Sequence, residues 1–269
     1  MMATVSVFLV LVVYFIVGWR ISLRSQKVAW VDFFWVSSFL IVPWVLALSQ
    51  YLAEGRSLLG PFFEEKKHFW WLALLFSVWS FRLSWHLFWR LRKHPEDPRY
   101  LALKEKWADN LPMKTLWLFL FEAFLVLILS LPLFIVFSVT DPSWHWSQLV
   151  AVSLFILGLV GETTADRQLK NFKAKQQGGG RVCDVGLWKY SRHPNYFFEL
   201  VIWTSFAVYG ASFPLGFWAV VPLIIMAILL IFVTGVAPSE RQALASKGDL
   251  YRAYQQRTSM LIPWPPKES

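Results

Sequence analysis

Residues 215–236 read LGFWAVVPLIIMAILLIFVTGV, twenty-two positions without an ionisable side chain. At ~1.5 Å per helical residue such a run reaches about 33 Å, enough to cross a hydrocarbon core of ~30 Å. Working outward, comparable apolar runs occur at 2–19, 28–52, 69–91, 113–139, 146–164 and 195–213. The reading is therefore an all-α polytopic membrane protein with seven transmembrane helices. The chain is 57% hydrophobic and 16% charged, which excludes a disordered chain, and its single cysteine excludes a disulfide scaffold. The 17 Trp and 24 Phe suit helices anchored at lipid interfaces and lining an oily cavity.

The +9 formal charge looks at first like nucleic-acid affinity, so the location of the basic residues decides its meaning. Of the 26 Lys and Arg, 22 fall on alternate connections and the C-terminal tail. The opposite connections hold Arg56, Lys66 and Lys67, offset by Glu54, Glu64 and Glu65. The positive-inside rule then places the N-terminus outside and the C-terminus in the cytosol. Residues 1–17 carry no Lys or Arg, unlike the start of a signal peptide, so the first helix is expected to be retained. The protein is expected to be multi-pass, in the inner membrane if its source is bacterial, with membrane lipids around it and no nucleic acid as partner.

Ionisable residues at membrane depth are costly in lipid and mark functional sites by default. Here they are Asp32, the pair Arg82 and His86 one turn apart, and Glu122. A structural Arg82–Asp32 pair, or Asp32 as a helix cap, accounts for the first two equally well. Pro43, Pro132 and Pro222 lie inside apolar runs and are expected to kink their helices.

The polar residues concentrate between Gly161 and Glu199. If the fifth helix continues past the membrane, Glu162, Asp166, Lys170 and Lys173 share one face. That stripe suits a nucleotide's hydroxyls and phosphates; it also suits a solvated helix stabilised by ion pairs. The glycines at 178–180 lack P-loop spacing and receive no chemistry. Next comes Gly186-Leu-Trp-Lys-Tyr-Ser-Arg-His-Pro-Asn-Tyr-Phe-Phe-Glu199. Pro194 fits the first position of a helix, and Arg192 and His193 beside that helix start suit a diphosphate. Asn195 and Glu199, four apart, suit a carboxamide or a ribose.

This string, with Trp188, Tyr190, Arg192, His193, Asn195, Tyr196 and Glu199, resembles the C-terminal signature of the steroid 5-alpha-reductase-like membrane enzymes, particularly their bacterial branch of unknown function. Sterol reductases of the same superfamily carry a similar string. Asp166-x-Gln168-x-x-x-Phe172-Lys173 resembles the family's string for NADPH phosphates, with Leu169 where that pattern has Lys and Lys170 next to it. Glu240, Gly248, Tyr251, Tyr254 and Leu261-Ile-Pro-Trp264 resemble its closing motif, which contributes cofactor contacts. Glu96-Asp-Pro-Arg-Tyr100 matches the bacterial branch, and Arg99 falls near a cofactor-binding Arg. The resemblance is strong over 160–264 and moderate over 28–107.

The resemblance implies a single membrane domain over 1–269, with substrate-side helices at 28–107 and a cofactor-binding half at 160–264. NADPH would be the cofactor and a hydrophobic, steroid-like or other lipid the substrate, with hydride transfer to a polarised C=C bond. Asp32 falls near the family's catalytic Glu, without its neighbouring Gln, and Trp79 near its Tyr. Asp32, Arg82 and His86 are the candidates for proton donation. An S-adenosylmethionine-dependent methyltransferase of the isoprenylcysteine or phospholipid type shares Arg-His-Pro-x-Tyr and stays open, as does a non-catalytic lipid-binding protein. Five His and one Cys without ligand spacing argue against a metal site, and neither a Gly-x-Ser-x-Gly elbow nor Gly-x-Gly-x-x-Gly occurs. Cys183 is expected to stay reduced.

Overall fold

The computed structural model describes residues 2–54, 61–140, 143–175 and 180–267; Arg56 and the glycines at 178 and 179 lie outside them. Among the described residues the chain is helical, and its one bridge joins Ser191 to Ser259. The helices are α1 (Met2–Ser25), α2 (Trp30–Glu54), α3 (Pro61–Glu65), α4 (Lys67–Lys93), α5 (Pro98–Lys106), α6 (Leu111–Leu129), α7 (Leu131–Phe137), α8 (Trp146–Lys175), α9 (Pro194–Ala211), α10 (Val220–Ile228), α11 (Val236–Lys247) and α12 (Asp249–Arg257).

Among the described residues five stretches are long and apolar enough to cross a membrane: Met2–Ser25, Trp30–Ala53, Leu111–Leu129, Trp146–Lys175 and Gly216–Lys247. The other two expected spans are helices of lower apolarity. Helix α4 carries His68, Arg82, His86, Arg90, Arg92 and Lys93, and α9 carries Asn195 and Glu199 in its first two turns. Pro43 lies inside a continuous α2, whereas Pro132 and Pro222 sit in first turns, where a missing N–H costs nothing. The run 113–139 accordingly divides at Ser130 into α6 and α7.

The chain forms two compact units. In the first, 1–144 with 213–218, α2 packs on α1, α4 and α6. Its core is aromatic: Phe34 meets Tyr14 at 4.8 Å and Phe119 at 6.5 Å, and Phe39, Phe76 and Trp79 form a second cluster. Polar clamps close the helix ends. Lys27 Nζ donates to the carbonyls of Leu91 (2.5 Å) and His94 (2.8 Å) at the end of α4, where a cation meets the negative end of the helix dipole. Glu96 accepts from the N–H groups of Val28 (2.6 Å) and Ala29 (3.2 Å) ahead of α2. Lys66 does for α7 what Lys27 does for α4, donating to Phe137 O at 2.6 Å and Val139 O at 3.2 Å.

In the second unit, 145–212 with 219–269, α8 and α9 lie face to face. Lipid is as apolar as a leucine side chain, so helices in a bilayer associate through close packing rather than water exclusion. Gly158 makes that possible: a Cβ there would stand 2.6 Å from Ile202 Cγ1 and 3.0 Å from Phe198 O. After α10 the helix widens into a π turn, Leu229–Val233, closed by Thr234 N–H to Leu229 O at 2.8 Å. The chain then turns at Gly235 into α11, which delivers Ser239 and Glu240 to the motif following α8.

Candidate functional site

Two polar clusters hold most of the residues singled out from the sequence, one in each unit. In the second unit α8 runs to Lys175, about 45 Å in all at the standard rise, longer than a ~30 Å core requires. Glu162 is buried, Asp166 half-buried, and Lys170 and Lys173 exposed, so the expected stripe grades from interior to surface. In the stretch leading to the motif, Cys183 packs into the interior. Burial pushes its thiol up, partly offset by Lys173 and Lys247 nearby.

A single 3-10 turn, Gly186–Lys189, then aims the motif. Gly186 has φ +59°, and its bare Cα lets the Gln168 amide lie against it, with Gln168 Oε1 accepting from Leu187 N–H at 2.9 Å. Trp188 is buried and its indole N–H donates to Ala165 O at 2.9 Å. The Tyr254 hydroxyl donates to Trp188 O, and burial pushes that phenol up, which keeps it a donor. Trp188 and Tyr254, both expected at the cofactor, thus spend their polar atoms on backbone carbonyls, of α8 for Trp188 and of the motif itself for Tyr254.

Arg192 is similarly committed. Its Nε donates to Glu240 Oε1 at 2.7 Å, and its Nη1 to the carbonyls of Gln255 (3.0 Å) and Thr258 (2.8 Å). Glu240 also meets His193 Nε2 at 3.3 Å and accepts from Gln255 Nε2 at 2.9 Å. His193 stacks on Tyr196 at 5.4 Å, and the Tyr196 hydroxyl lies 3.4 Å from Ser239 Oγ. A strap from Thr258 onward completes the frame: Ser259 O accepts from Arg192 N–H (2.8 Å), Leu261 O from Ser191 Oγ (2.7 Å), and Trp264 N–H donates to Tyr190 O (2.9 Å). The Tyr190 ring is exposed. Gln255, Thr258 and Ser239 carried no sequence signal of their own; only the fold brings them to the motif.

Pro194 opens α9, as its fixed φ and missing N–H suit. Asn195 follows in the first turn, and its Oδ1 is shut off from solvent with no hydrogen-bond partner among the described residues. Such an orphan costs about 1–3 kcal/mol unless something donates to it. One turn on, buried Glu199 accepts from Trp203 Nε1 at 2.9 Å.

In the first unit Asp32 is held by the Tyr100 hydroxyl, which donates to it at 2.6 Å, with Arg99 Nη2 at 3.8 Å. Tyr100 and Arg99 are thus partners of Asp32. Arg99 also donates through Nε and Nη2 to Asp97, each at 3.1 Å, and Asp97 meets Arg90 at 2.6 Å. Burial pushes the Tyr100 phenol up, and the Asp32 charge adds to the effect. Arg82 is half-buried on α4, with His86 exposed one turn on. Trp79 is fully buried against Trp35, Phe39 and Phe76, a core ring rather than one offering itself to a substrate. No group of His, Cys, Asp and Glu among the described residues has a metal-holding arrangement.

Helices long and apolar enough to cross a membrane, in both units, define a helical, multi-pass membrane protein. The chain belongs to the family described as "Protein of unknown function (DUF1295)", which matches residues 18–258. This is a membrane family related to steroid 5-alpha-reductase-like proteins. The uncharacterized protein C594.04c of Schizosaccharomyces pombe is 25% identical over 285 residues, covering 94% of this chain and 78% of that protein. Methanethiol S-methyltransferase 1 of Bradyrhizobium diazoefficiens is 37% identical over 79 residues, 29% of this chain and 25% of that protein. No solved structure matches the chain.

Proposed function

We propose that the protein is a membrane-embedded reductase that uses NADPH on an activated C=C bond of a lipid, built on seven transmembrane helices with the C-terminus in the cytosol. The observation that carries the reading is Asn195: an acceptor oxygen without a donor, in the first turn of a helix and inside the motif that resembles the reductase signature. A carboxamide or amino group of a nucleotide supplies the missing donor. The residues fit the group further along the chain. Lys170 and Lys173 are exposed cations for phosphates, and Glu162, Asp166 and Glu199 are acceptors for ribose hydroxyls. Arg192, Glu240, Trp188 and Tyr254 hold the frame in which these stand. NADPH, when bound, supplies the hydride. Asp32, with Tyr100 and Arg99, is the polar anchor for the substrate oxygen on which charge develops, as such chemistry requires.

A methyltransferase is the second reading, favoured by the 79-residue similarity to methanethiol S-methyltransferase 1. It needs S-adenosylmethionine, whose amino groups would also satisfy Asn195. Thermal shift of the detergent-purified protein separates the two: NADPH raises the melting temperature and S-adenosylmethionine does not. Asn195→Ala weakens NADPH binding about 5- to 10-fold, the worth of one hydrogen bond, with the apo melting temperature little changed. Stabilisation by S-adenosylmethionine alone replaces the reductase with the methyltransferase.

A further inference from the structure

A cavity of about 260 Å³ lies in the first unit, where the end of α1 meets α5 and the start of α6. It shares no residue with the two polar clusters described above. Pockets for drug-sized ligands begin near ~300 Å³, so this one takes a small headgroup and not the body of a lipid. Leu23 and Leu111 give it an apolar wall, and Ser22, Gln26, Lys104 and Thr115 a polar one. Ser22 is 2% exposed, yet its hydroxyl makes no hydrogen bond among the described residues. Helical serines usually bond back one turn, as Ser25 does to Ile21 O at 2.8 Å. Gln26 has φ +55°, a left-handed backbone that glycine or asparagine ordinarily supplies at a helix end. Lys104 Nζ donates to its carbonyl. Strain kept on the wall of a cavity marks a position held for binding.

The charges favour an anion. Lys104 Nζ lies 3.4 Å from Glu96 and keeps an N–H to spare, while Glu96 is spent on the N–H groups of Val28 and Ala29. Arg24, in the last turn of α1, meets no carboxylate among the described residues. Thr115 Oγ1 donates to Leu111 O at 2.7 Å, which leaves it an acceptor. We propose that the cavity binds the headgroup of an anionic phospholipid bearing hydroxyls, phosphatidylglycerol in type, with Lys104 on the phosphate and Ser22, Gln26 and Thr115 on the glycerol hydroxyls. Exposed Val13, Val17 and Ile21, in file on α1, offer the acyl chains a track. The lipid ties α1 to α5 and α6, and the site stands whatever reaction the protein performs.

Native mass spectrometry of the detergent-purified protein tests the site, with dioleoyl phosphatidylglycerol set against dioleoyl phosphatidylethanol, which has the charge but no hydroxyl, and dioleoyl phosphatidylcholine. The expected result is retention of phosphatidylglycerol over phosphatidylethanol by about threefold or more, the worth of one or two hydrogen bonds. Phosphatidylcholine is retained least. Ser22→Leu fills the cavity and abolishes the preference without lowering the melting temperature of the lipid-free protein. Ser22→Ala leaves the space open and loses the preference over phosphatidylethanol alone. Equal retention of phosphatidylglycerol and phosphatidylethanol, or a preference that survives both Ser22 variants, overturns the proposal. So does displacement of the lipid by soluble glycerol 3-phosphate, which would assign the cavity to a free phosphate ester.

Discussion

At the scale of single residues, most of the motif read from the sequence is frame, and little of it is free for a ligand. Arg192 suggested a diphosphate because cations beside helix starts often bind one. Its Nε and Nη1 instead tie Glu240, Gln255 and Thr258 together, partners 48 to 66 residues away that no local pattern announces. Asn195 was legible for the opposite reason, since its place beside Pro194 follows from helix-start chemistry alone. Gly186 is where the frame is most exposed to a test. Alanine there adopts φ +59° at a cost, and its Cβ collides with the Gln168 amide. Gly186→Ala should destabilise the protein by about 1–2 kcal/mol, read as a lowered melting temperature, with a parallel loss of whatever binds at Asn195.

Helix identities were legible because apolar length is a strong signal, and helix ends were not, because partners distant in sequence decide them. The division at Ser130 and the π turn at Leu229–Val233 lie inside continuous apolar runs. Helix α5 shows what fixes an end. Asp97 caps it, accepting from Arg99 N–H at 2.9 Å, and although burial disfavours its charge, Arg99 and Arg90 hold the carboxyl below the ordinary carboxylate range. A depressed folded-state value contributes stability above the unfolded value of roughly 3.9 and loses it as pH falls through the folded one. Asp97→Asn keeps a capping oxygen but removes the charge. It should unfold more readily than wild type at neutral pH, by about 1 kcal/mol or less, with the difference closing below about pH 4. A gap that persists in acid would assign the effect to the cap instead.

For the whole molecule, charge placement predicts what helix packing alone does not fix. With 22 of 26 basic residues on alternate connections and the tail, a fluorescent protein fused after Ser269 should glow, and alkaline phosphatase fused there should stay inactive. An active phosphatase would invert the topology and put the motif of the second unit on the wrong side for a cytosolic nucleotide. The division of the chain into two units was not legible, because 213–218 joins the first while its sequence neighbours on both sides join the second. The strap from Thr258 carries a consequence for biosynthesis. Arg192 waits for a carbonyl 66 residues downstream, and at about 5–20 residues per second a ribosome needs roughly 3–13 s to make it. Until that interval has passed, the nascent chain carries a guanidinium whose set of partners is incomplete, so the frame around the motif closes only when the end of the chain is made.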